Sequence, residues 1–462
     1  HAKRELIRKR TQYPHLARAD YGQGEIYRTT LINKLICLFV NKMASLDANG
    51  CGIEMEANKP NWYDALNGLP ALFGSSLCET FELKRLVLFI KDALIDCRIE
   101  QIEISEELHA FISALNEILD ISDDFEYWDK SSGLKEEYRQ KTKMGFSGRE
   151  IPIVTDKLHT LFDKALTKLT QATDKAYDKK NNVYYSYFIN EVVDFDSIKD
   201  HCIWPKKFKQ VRVPLFLAGQ MHALRMSSGN SEAAKIYQGT KESGLFDKKL
   251  KMYKVTASLK SMPEEIGRCR VFAPGWLEHE SIWLHMEYKY LLELLKCGLY
   301  KEFFEDFKNT LVPFQKAARY GRSILENSSF IVSSAFSDKS LHGNGFVARL
   351  SGSTAEFLEI WLTMNTGNKP FILNKNKELN LRFNPILPGW LFDRKGNYSF
   401  IFLGKTLVTY HNAKKLDTFG TKGTRISKIF IDSIEINSGI IPSPYAQNIR
   451  SRLVKNIDIY LD

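Results

Sequence analysis

The sequence lacks several features that would place it in a simple class. No apolar run approaches the roughly 20 residues that a membrane helix needs, and residues 31–40, the longest candidate, include Asn33 and Lys34. The seven cysteines form no CxxC pair, so no zinc or redox motif is predicted. No run of five basic residues occurs, and scattered charge is not typical of a nucleic-acid interface. We therefore expect no membrane span, metal, cofactor or nucleic-acid partner.

The composition allows a large hydrophobic core but decides little else. With 462 residues the chain fits two or three domains. Its net charge is +10, and residues 368–462 carry fifteen Lys and Arg against seven Asp and Glu. A solvated basic face explains this excess, and an anionic ligand is the alternative. The cysteines lie mostly in apolar helical patterns, which predicts buried free thiols and a cytoplasmic location.

The hydrophobic period divides the chain into a helical part and a β tail. Up to Gly367 the period is helical, after a basic lead-in over residues 1–28. A polar insertion is predicted at 120–151 and a β excursion at 183–195. The predicted helices cover residues 30–45, 77–97, 105–119, 154–175, 278–299 and 354–364. Residues 368–462 contain short alternating segments separated by turn residues, which predicts a small antiparallel β-sandwich.

The first segment that could carry chemistry is the loop over residues 54–68. Pro60, Gly68 and several Asn residues argue against a helix here. Trp62 and Asp64 are two residues apart, so in an extended segment they point to the same side. A stacking surface beside a titratable acid suits a sugar site, whereas an ordinary packed loop would also have this composition.

A second segment follows the turn at Pro274 and Gly275. Glu278 and His285 are seven residues apart, which on a helix puts them on one face. That face could bind sugar hydroxyls or an anion, or the histidine could be structural. The spacing lacks the i, i+4 histidine pair of a zinc protease helix, so it predicts no metal site.

A third segment begins at Ser351 and Gly352, just before a capping box formed by Ser353 and Glu356. A helix start with free N–H groups and a glycine that permits close approach is a suitable seat for phosphate. It is not a P-loop, because no Gly-Lys-Ser/Thr is present. A plain helix cap is the alternative interpretation.

In this order, the three segments resemble motifs of the inverting glycoside phosphorylases typified by cellobiose phosphorylase. Longer stretches, NWYDALNGLPALFGSSLCETFELKRL and RLSGSTAEFLEIW, are similar to the branch that acts on long-chain β-glucan oligosaccharides. The similarity begins near Thr29. We therefore expect the chain to be the C-terminal half of such an enzyme, with the missing N-terminal portion or a second copy as its partner.

The resemblance implies a fold, a reaction and a set of site residues. The fold is an (α/α)6 barrel portion over residues 29–367 followed by the antiparallel sandwich. The reaction is phosphorolysis of β-glucosidic bonds in gluco-oligosaccharides, with inorganic phosphate as co-substrate and α-glucose 1-phosphate as product. The implied roles are general acid for Asp64, sugar binding for Trp62 and Glu278, and phosphate binding for His285, Ser351 and Gly352. Two departures from the family pattern are Ser351 in place of Thr and Leu277 in place of Lys.

Two other functions remain open from the sequence. An inverting glycoside hydrolase would need a second carboxylate as base, for which Glu54 and Glu56 are candidates. A carbohydrate-binding fragment or subunit without activity would need the sugar-binding side chains alone.

Overall fold

The computed structural model describes residues 1–57, 63–198, 202–347 and 351–462. The chain divides into two compact units. Unit 1 comprises His1–Trp283 and Phe330–Phe346, and unit 2 comprises Leu284–Ser329 and Val347–Asp462. The domain limits given above stay predictions.

The described residues are mainly helical. In chain order the helices are α1 (Ala2–Arg8), α2 (Leu31–Met43), α3 (Leu77–Asp96), α4 (Glu106–Ile118), α5 (Asp124–Thr142), α6 (Thr155–Ala176), α7 (Leu217–Met226), α8 (Asn230–Glu242), α9 (Arg268–Val271), α10 (Leu284–Lys296), α11 (Tyr300–Thr310), α12 (Ala317–Tyr320), α13 (Ser351–Thr366) and α14 (Tyr445–Arg450). None of these helices combines the length and the apolar character of a membrane span.

The strands are mostly short and form several small sheets. Those of unit 1 are β1 (Ile53–Glu54), β2 (Ser75–Ser76), β3 (Gln101–Ser105), β4 (Glu150–Val154), β5 (Tyr177–Asp178), β6 (Val183–Tyr184), β7 (Tyr187–Ser197), β8 (Ile203–Arg212), β9 (Phe246–Asp247), β10 (Met252–Tyr253), β11 (Ile282–Trp283), β12 (Phe330–Ile331) and β13 (Gly345–Phe346). Those of unit 2 are β14 (Phe371–Leu373), β15 (Leu379–Leu381), β16 (Asn397–Phe402), β17 (Thr406–His411), β18 (Ile426–Ile431), β19 (Ile434–Ile436) and β20 (Asn456–Leu461).

The core of unit 1 forms where α2, α3, α4 and α6 bury their apolar faces. In α2 the buried apolar side chains are Ile36, Phe39, Val40 and Met43, a spacing that places them on one face of the helix. Burying each such side chain contributes about 1.5–3 kcal/mol. Thr30 caps the helix by accepting a hydrogen bond from the backbone of Asn33.

Unit 1 also contains a helix within the predicted insertion at 120–151 and a β-hairpin that overlaps the predicted β excursion at 183–195. Helix α5 lies within the polar stretch, and its side chains contact the strand that leads into the Asp64 loop. Strands β7 and β8 form a long antiparallel hairpin in a four-stranded sheet with β1 and β2. The hairpin contacts the segment that follows this loop, because Asn190 donates to the carbonyl of Phe73 at 2.7 Å.

Unit 2 combines helices α10, α11 and α13 with a five-stranded sheet of order β16-β17-β20-β18-β19. The prediction of a purely antiparallel tail is wrong, because β17 and β20 pair in parallel. Helix α14 precedes β20 and returns the chain so that β20 runs in the direction of β17. The β tail itself is confirmed, whereas the closed (α/α)6 barrel stays a prediction.

The predicted helices agree with the structure except at one start. Those over residues 30–45, 77–97, 105–119, 154–175 and 354–364 correspond to α2, α3, α4, α6 and α13. The helix predicted to begin at Glu278 begins at Leu284. Leu277 and Glu280 have left-handed backbone angles, with φ of 47° and 57°, and such angles interrupt a right-handed helix.

The cysteines only partly follow their prediction. All seven belong to described residues, and none of them forms a disulfide bond. Cys51, Cys78 and Cys269 are buried, but Cys97 and Cys202 are exposed. Cys97 directly follows the last turn of α3, at the exposed end of that helix.

A cluster of charged side chains around Glu82 joins α3 and α7. The Glu82 carboxylate binds three basic side chains: His222 Nδ1 at 2.9 Å, Arg225 Nη1 at 2.9 Å and Arg85 Nε at 2.8 Å. Burial alone would raise the pKa of Glu82, but these hydrogen bonds and charges outweigh burial and lower that pKa to about 2. The carboxylate therefore stabilises the fold above its ordinary pKa, and this contribution is lost as pH falls towards 2.

We expect Glu82→Gln to lower the free energy of unfolding at pH 7 by about 1–2 kcal/mol, since Glu82 is one-third exposed and solvent screens part of the interaction. The difference from the wild type should shrink between pH 5 and about pH 2. Thermal unfolding at several pH values measures it. The control is Glu126→Gln, which removes a single exposed pair with Lys130. Equal effects of the two substitutions would contradict the role assigned to the Glu82 cluster.

Candidate functional site

Asp64 lies at the start of a short 3-10 turn, Asp64–Leu66, in unit 1. Tyr63, Ala65 and Leu66 on either side of it are buried, whereas the Asp64 side chain is 64% exposed. The turn is thus fixed by its neighbours, and Asp64 directs its carboxylate outward. Trp62, which is predicted to bind sugar, lies outside the described residues.

Tyr63 anchors this turn from below. Its ring packs edge-on against Tyr187 and Phe216, with ring centroids 6.1 and 5.2 Å away. Its hydroxyl donates to the carbonyl of Val255 at 3.5 Å. Edge-to-face packing of this kind is favourable beyond the buried area alone. The residue before Asp64 is therefore held by three separate segments of unit 1.

Two glycines bring the segment around α9 against the Asp64 turn. Gly68 donates its N–H to the carbonyl of Ile266 at 3.2 Å, and a Cβ at Gly68 would overlap the carbonyl of Glu265. Gly267 has φ of 126°, and a Cβ there would overlap the carbonyl of Ala65. Only glycine permits this backbone approach without strain.

The approach places Arg268, the first residue of α9, beside Asp64. Arg268 Nη2 lies 2.9 Å from Asp64 Oδ2. The backbone N–H of Arg268 donates to Asn67 Oδ1 at 3.4 Å, so the arginine is held by the same turn. Arg268 was not predicted from the sequence, because no local pattern links it to Asp64, which is far away in the chain.

Glu278 is a second acid, and it interacts electrostatically with Asp64. Burial raises the pKa of Glu278, and the negative charge of Asp64 raises it further, against opposing effects of its own backbone N–H and of Arg268. Two carboxyl groups and one guanidinium thus interact electrostatically in unit 1. A carboxyl with a raised pKa beside a second, exposed carboxylate is typical of sites that move protons.

The predicted pairing of Glu278 with His285 on one helix face is wrong. Glu278 lies in the turn that precedes β11, and His285 is the second residue of α10. They also belong to different compact units. The spacing of seven residues does not place the two side chains on one face, because most of the backbone between Glu278 and His285 is not helical.

His285 and Gly352, both predicted to bind phosphate, lie together in unit 2. A Cβ added to Gly352 would lie 2.6 Å from both Nδ1 and Cε1 of His285, so the imidazole rests directly on the glycine. His285 is at the start of α10, and Ser351 and Gly352 begin α13. Two helix N-termini therefore meet, and both favour negative charge.

This seat already contains one carboxylate. Glu356 Oε1 lies 3.6 Å from His285 Nε2 and 4.0 Å from Lys289 Nζ. Burial alone would raise the pKa of Glu356, but the hydrogen bond from His285 and the charge of Lys289 hold it below its ordinary value. From the sequence, Glu356 was predicted only as part of a capping box. Ser353, its predicted partner, lies within α13 and not before it.

The two carboxylates proposed as alternative bases are engaged by α5. Trp128 Nε1 donates to Glu54 at 2.6 Å, and Lys135 lies 3.5 Å from the other oxygen of the same carboxylate. Arg139 pairs with Glu56. These contacts hold the insertion helix against the strand that enters the Asp64 loop. Glu278, which interacts electrostatically with Asp64, is a better candidate for a second carboxylate than Glu54 or Glu56.

Comparison with known proteins assigns no family to the chain, which matches no protein-family model and no curated protein. Among solved structures it is similar, at 10% identity, to an uncharacterized conserved protein from Thermus thermophilus, with a TM-score of 0.28. It is similar to GH63 mannosylglycerate hydrolase from the same organism in its glucose and Tris complexes, again at 10% identity, with a TM-score of 0.27. The alignments cover 78% of this chain and 98% or 99% of those chains. A likeness at this TM-score carries no argument about fold or activity.

Proposed function

We propose that the chain cleaves β-glucosidic bonds in gluco-oligosaccharides with inversion, using Asp64 as general acid and inorganic phosphate as nucleophile. The observation that carries the proposal is the exposed Asp64 carboxyl on a turn anchored by its buried neighbours, beside Arg268 and Glu278. The order of the three motifs supports the same function. Ser351 and Trp62 keep the phosphate-binding and sugar-binding roles that the resemblance implies.

In this mechanism Asp64 protonates the oxygen of the leaving sugar. Phosphate attacks the anomeric carbon from the opposite face, the glycosidic bond breaks, and α-glucose 1-phosphate forms. Because phosphate is already a competent nucleophile, one carboxylic acid is sufficient. In the reverse direction the Asp64 carboxylate accepts the proton of the acceptor hydroxyl, and the guanidinium of Arg268 stabilises that carboxylate.

The phosphate seat proposed in unit 2 uses His285, Lys289 and the N–H groups that begin α13. His285 and Lys289 already contact the Glu356 carboxylate. Phosphate must therefore compete with Glu356 for His285 and Lys289. This competition predicts weak binding of phosphate, and it makes the dependence on phosphate the decisive property to measure.

The direct test is cleavage of cellotriose and laminaritriose with and without inorganic phosphate. We expect α-glucose 1-phosphate to appear only when phosphate is present. An equal rate of glucose release without phosphate would contradict the phosphorylase assignment. Oligosaccharide binding with no cleavage under either condition would contradict catalysis by this chain and favour a binding subunit.

A second candidate function is inverting hydrolysis, and Glu278 is the observation that favours it. An inverting hydrolase uses two carboxyl groups about 6.5–9.5 Å apart, one as acid and one as base that activates water. Glu278 interacts electrostatically with Asp64 and is partly buried. The Glu356 carboxylate in the proposed phosphate seat also favours hydrolysis, because a carboxylate repels the phosphate anion.

Substitution of Glu278 separates the two functions. If Glu278 only binds sugar hydroxyls, as we propose, Glu278→Ala should lower kcat/KM about 10–100-fold, a loss typical of one or two strong hydrogen bonds, and cleavage should still require phosphate. If Glu278 is a base, the variant should be inactive, and added azide should restore cleavage of the glycosidic bond by attacking the anomeric carbon in place of water, which gives a glucosyl azide. The matched control is Glu264→Ala, at an exposed residue of a nearby 3-10 turn.

A further inference from the structure

The loop that carries Glu278 is held by a buried histidine. His279, the next residue, is only 1% exposed. Its Nδ1 donates to the carbonyl of Phe272 at 2.7 Å, and its Nε2 accepts the N–H of Leu259 at 3.2 Å. The imidazole therefore joins the loop that carries Glu278 to the segments around Phe272 and Leu259.

This pair of contacts requires the neutral ring. Because Nε2 accepts an N–H, the proton of the neutral imidazole must be on Nδ1, where it faces the carbonyl of Phe272. A protonated ring would place an N–H at Nε2 opposite the N–H of Leu259. Two donors would then face each other, and the hydrogen bond would be lost.

The backbone beside Glu278 depends on such support. Leu277 and Glu280 are non-glycine residues with positive φ, of 47° and 57°, and this conformation persists only where the surroundings enforce it. The carbonyl of Leu277 is fixed by the Trp283 indole N–H at 2.8 Å and by the hydroxyl of Ser281. On the other side of Glu278, the backbone is held by the imidazole of His279 and by Thr256, whose hydroxyl accepts the N–H of Glu280 at 3.0 Å.

The charged groups around His279 act in both directions. Glu280 Oε2 lies 3.8 Å from Nε2, but its other oxygen is paired with Lys254 at 2.8 Å. Burial lowers the pKa of His279 most, and the positive charges of Arg270 and Lys260 lower it further, while the Phe272 carbonyl and Glu280 raise it. The ring is therefore neutral at neutral pH, and its support is lost as pH falls.

We propose that neutral His279 is the positioning residue for Glu278, and that protonation of His279 releases the Glu278 loop and sets the acid limit of activity. The proposal rests on the proposed function in that it gives Glu278 a role at the reacting sugar. It adds a regulation of that site by pH that neither the motifs nor the chemistry of Asp64 requires.

The kinetic test compares His279→Gln with His342→Gln. His342 is a matched control in the same unit: it is 9% exposed, Nδ1 accepts from Lys249 at 2.7 Å, and Nε2 donates to Phe336 at 2.8 Å. We expect His279→Gln to lower kcat about 10–100-fold, as a small misplacement of a site group does, and to make the acid side of the pH profile less steep. His342→Gln should keep the wild-type kcat and profile. Equal losses in both variants, or an unchanged acid side in His279→Gln, would overturn the proposal.

A measurement without substrate keeps the proposal testable if the variant does not fold or the chain has no activity. In the wild type, the NMR signal of the Trp283 indole N–H reports the hydrogen bond to Leu277. We expect this signal to shift with the same midpoint as protonation of the His279 ring, below the ordinary range of histidine. An indole signal that stays constant while His279 titrates would overturn the proposal. Absence of cleavage with a coupled titration would instead contradict the proposed function alone.

Discussion

Asp64→Asn is expected to lower kcat for β-gluco-oligosaccharides by about 10²–10⁴-fold, the usual contribution of a general acid. Asparagine can still accept a hydrogen bond from Arg268 but has no proton to give to the leaving oxygen. Because the Asp64 side chain is 64% exposed, the thermal unfolding midpoint of the variant should equal that of the wild type. Cleavage of a nitrophenyl glucoside should suffer much less, since its leaving group needs no proton. Initial rates on the two substrates measure this difference.

The matched control for Asp64→Asn is Asp20→Asn. Asp20 is also exposed and also begins a 3-10 turn in unit 1, so it tests the change of charge without the chemistry. We expect wild-type rates from Asp20→Asn on both substrates. Near-normal cleavage of oligosaccharides by Asp64→Asn would contradict the assignment of Asp64, and so would equal losses on both substrates.

Gly352→Ala is the second substitution with a large expected effect. The added methyl group would lie 2.6 Å from two atoms of the His285 ring, which is closer than carbon atoms approach. The ring must move away from the start of α13 and from any phosphate bound there. We expect KM for phosphate to rise at least about 10-fold, equivalent to about 1.4 kcal/mol of binding free energy, while KM for the oligosaccharide stays the same. Initial rates at varied phosphate give both constants.

Gly133→Ala is the control for this substitution. Gly133 lies within α5, and a Cβ there would meet nothing within 4 Å. Alanine should stabilise that helix by about 0.5–1 kcal/mol and leave both KM values unchanged. If Gly352→Ala kept the wild-type KM for phosphate, the phosphate seat would be placed wrongly.

Periodicity predicted the helices well where the whole segment is amphipathic. In α2 the buried residues recur at helical spacing, so the pattern and the structure agree. The start of α10 was missed because φ at Leu277 and Glu280 is not a property that periodicity reports. The parallel pairing of β20 with β17 was also out of reach, since it depends on the path of the chain between them.

The site was predictable by residue type but not by geometry. The motifs single out Asp64, Glu278, His285 and Gly352 one by one, and the roles of these residues stay predictions. The Arg268–Asp64 ion pair depends on the close approach at Gly68 and Gly267, which are far apart in the chain. Lys289 and Glu356 were detectable in principle. Each lies four residues beyond a predicted site residue on the same helix, the spacing at which side chains are neighbours.

The most direct test of phosphate-dependent chemistry at Asp64 runs the reaction in reverse. Wild type and Asp64→Asn are each supplied with α-glucose 1-phosphate and one of three acceptors, glucose, cellobiose or laminaribiose, and released inorganic phosphate is measured. We expect the wild type to release phosphate in step with elongation of at least one acceptor, and Asp64→Asn to release none above background. No release by the wild type with any acceptor, alongside phosphate-independent cleavage of oligosaccharides, would contradict the account and identify the chain as a hydrolase.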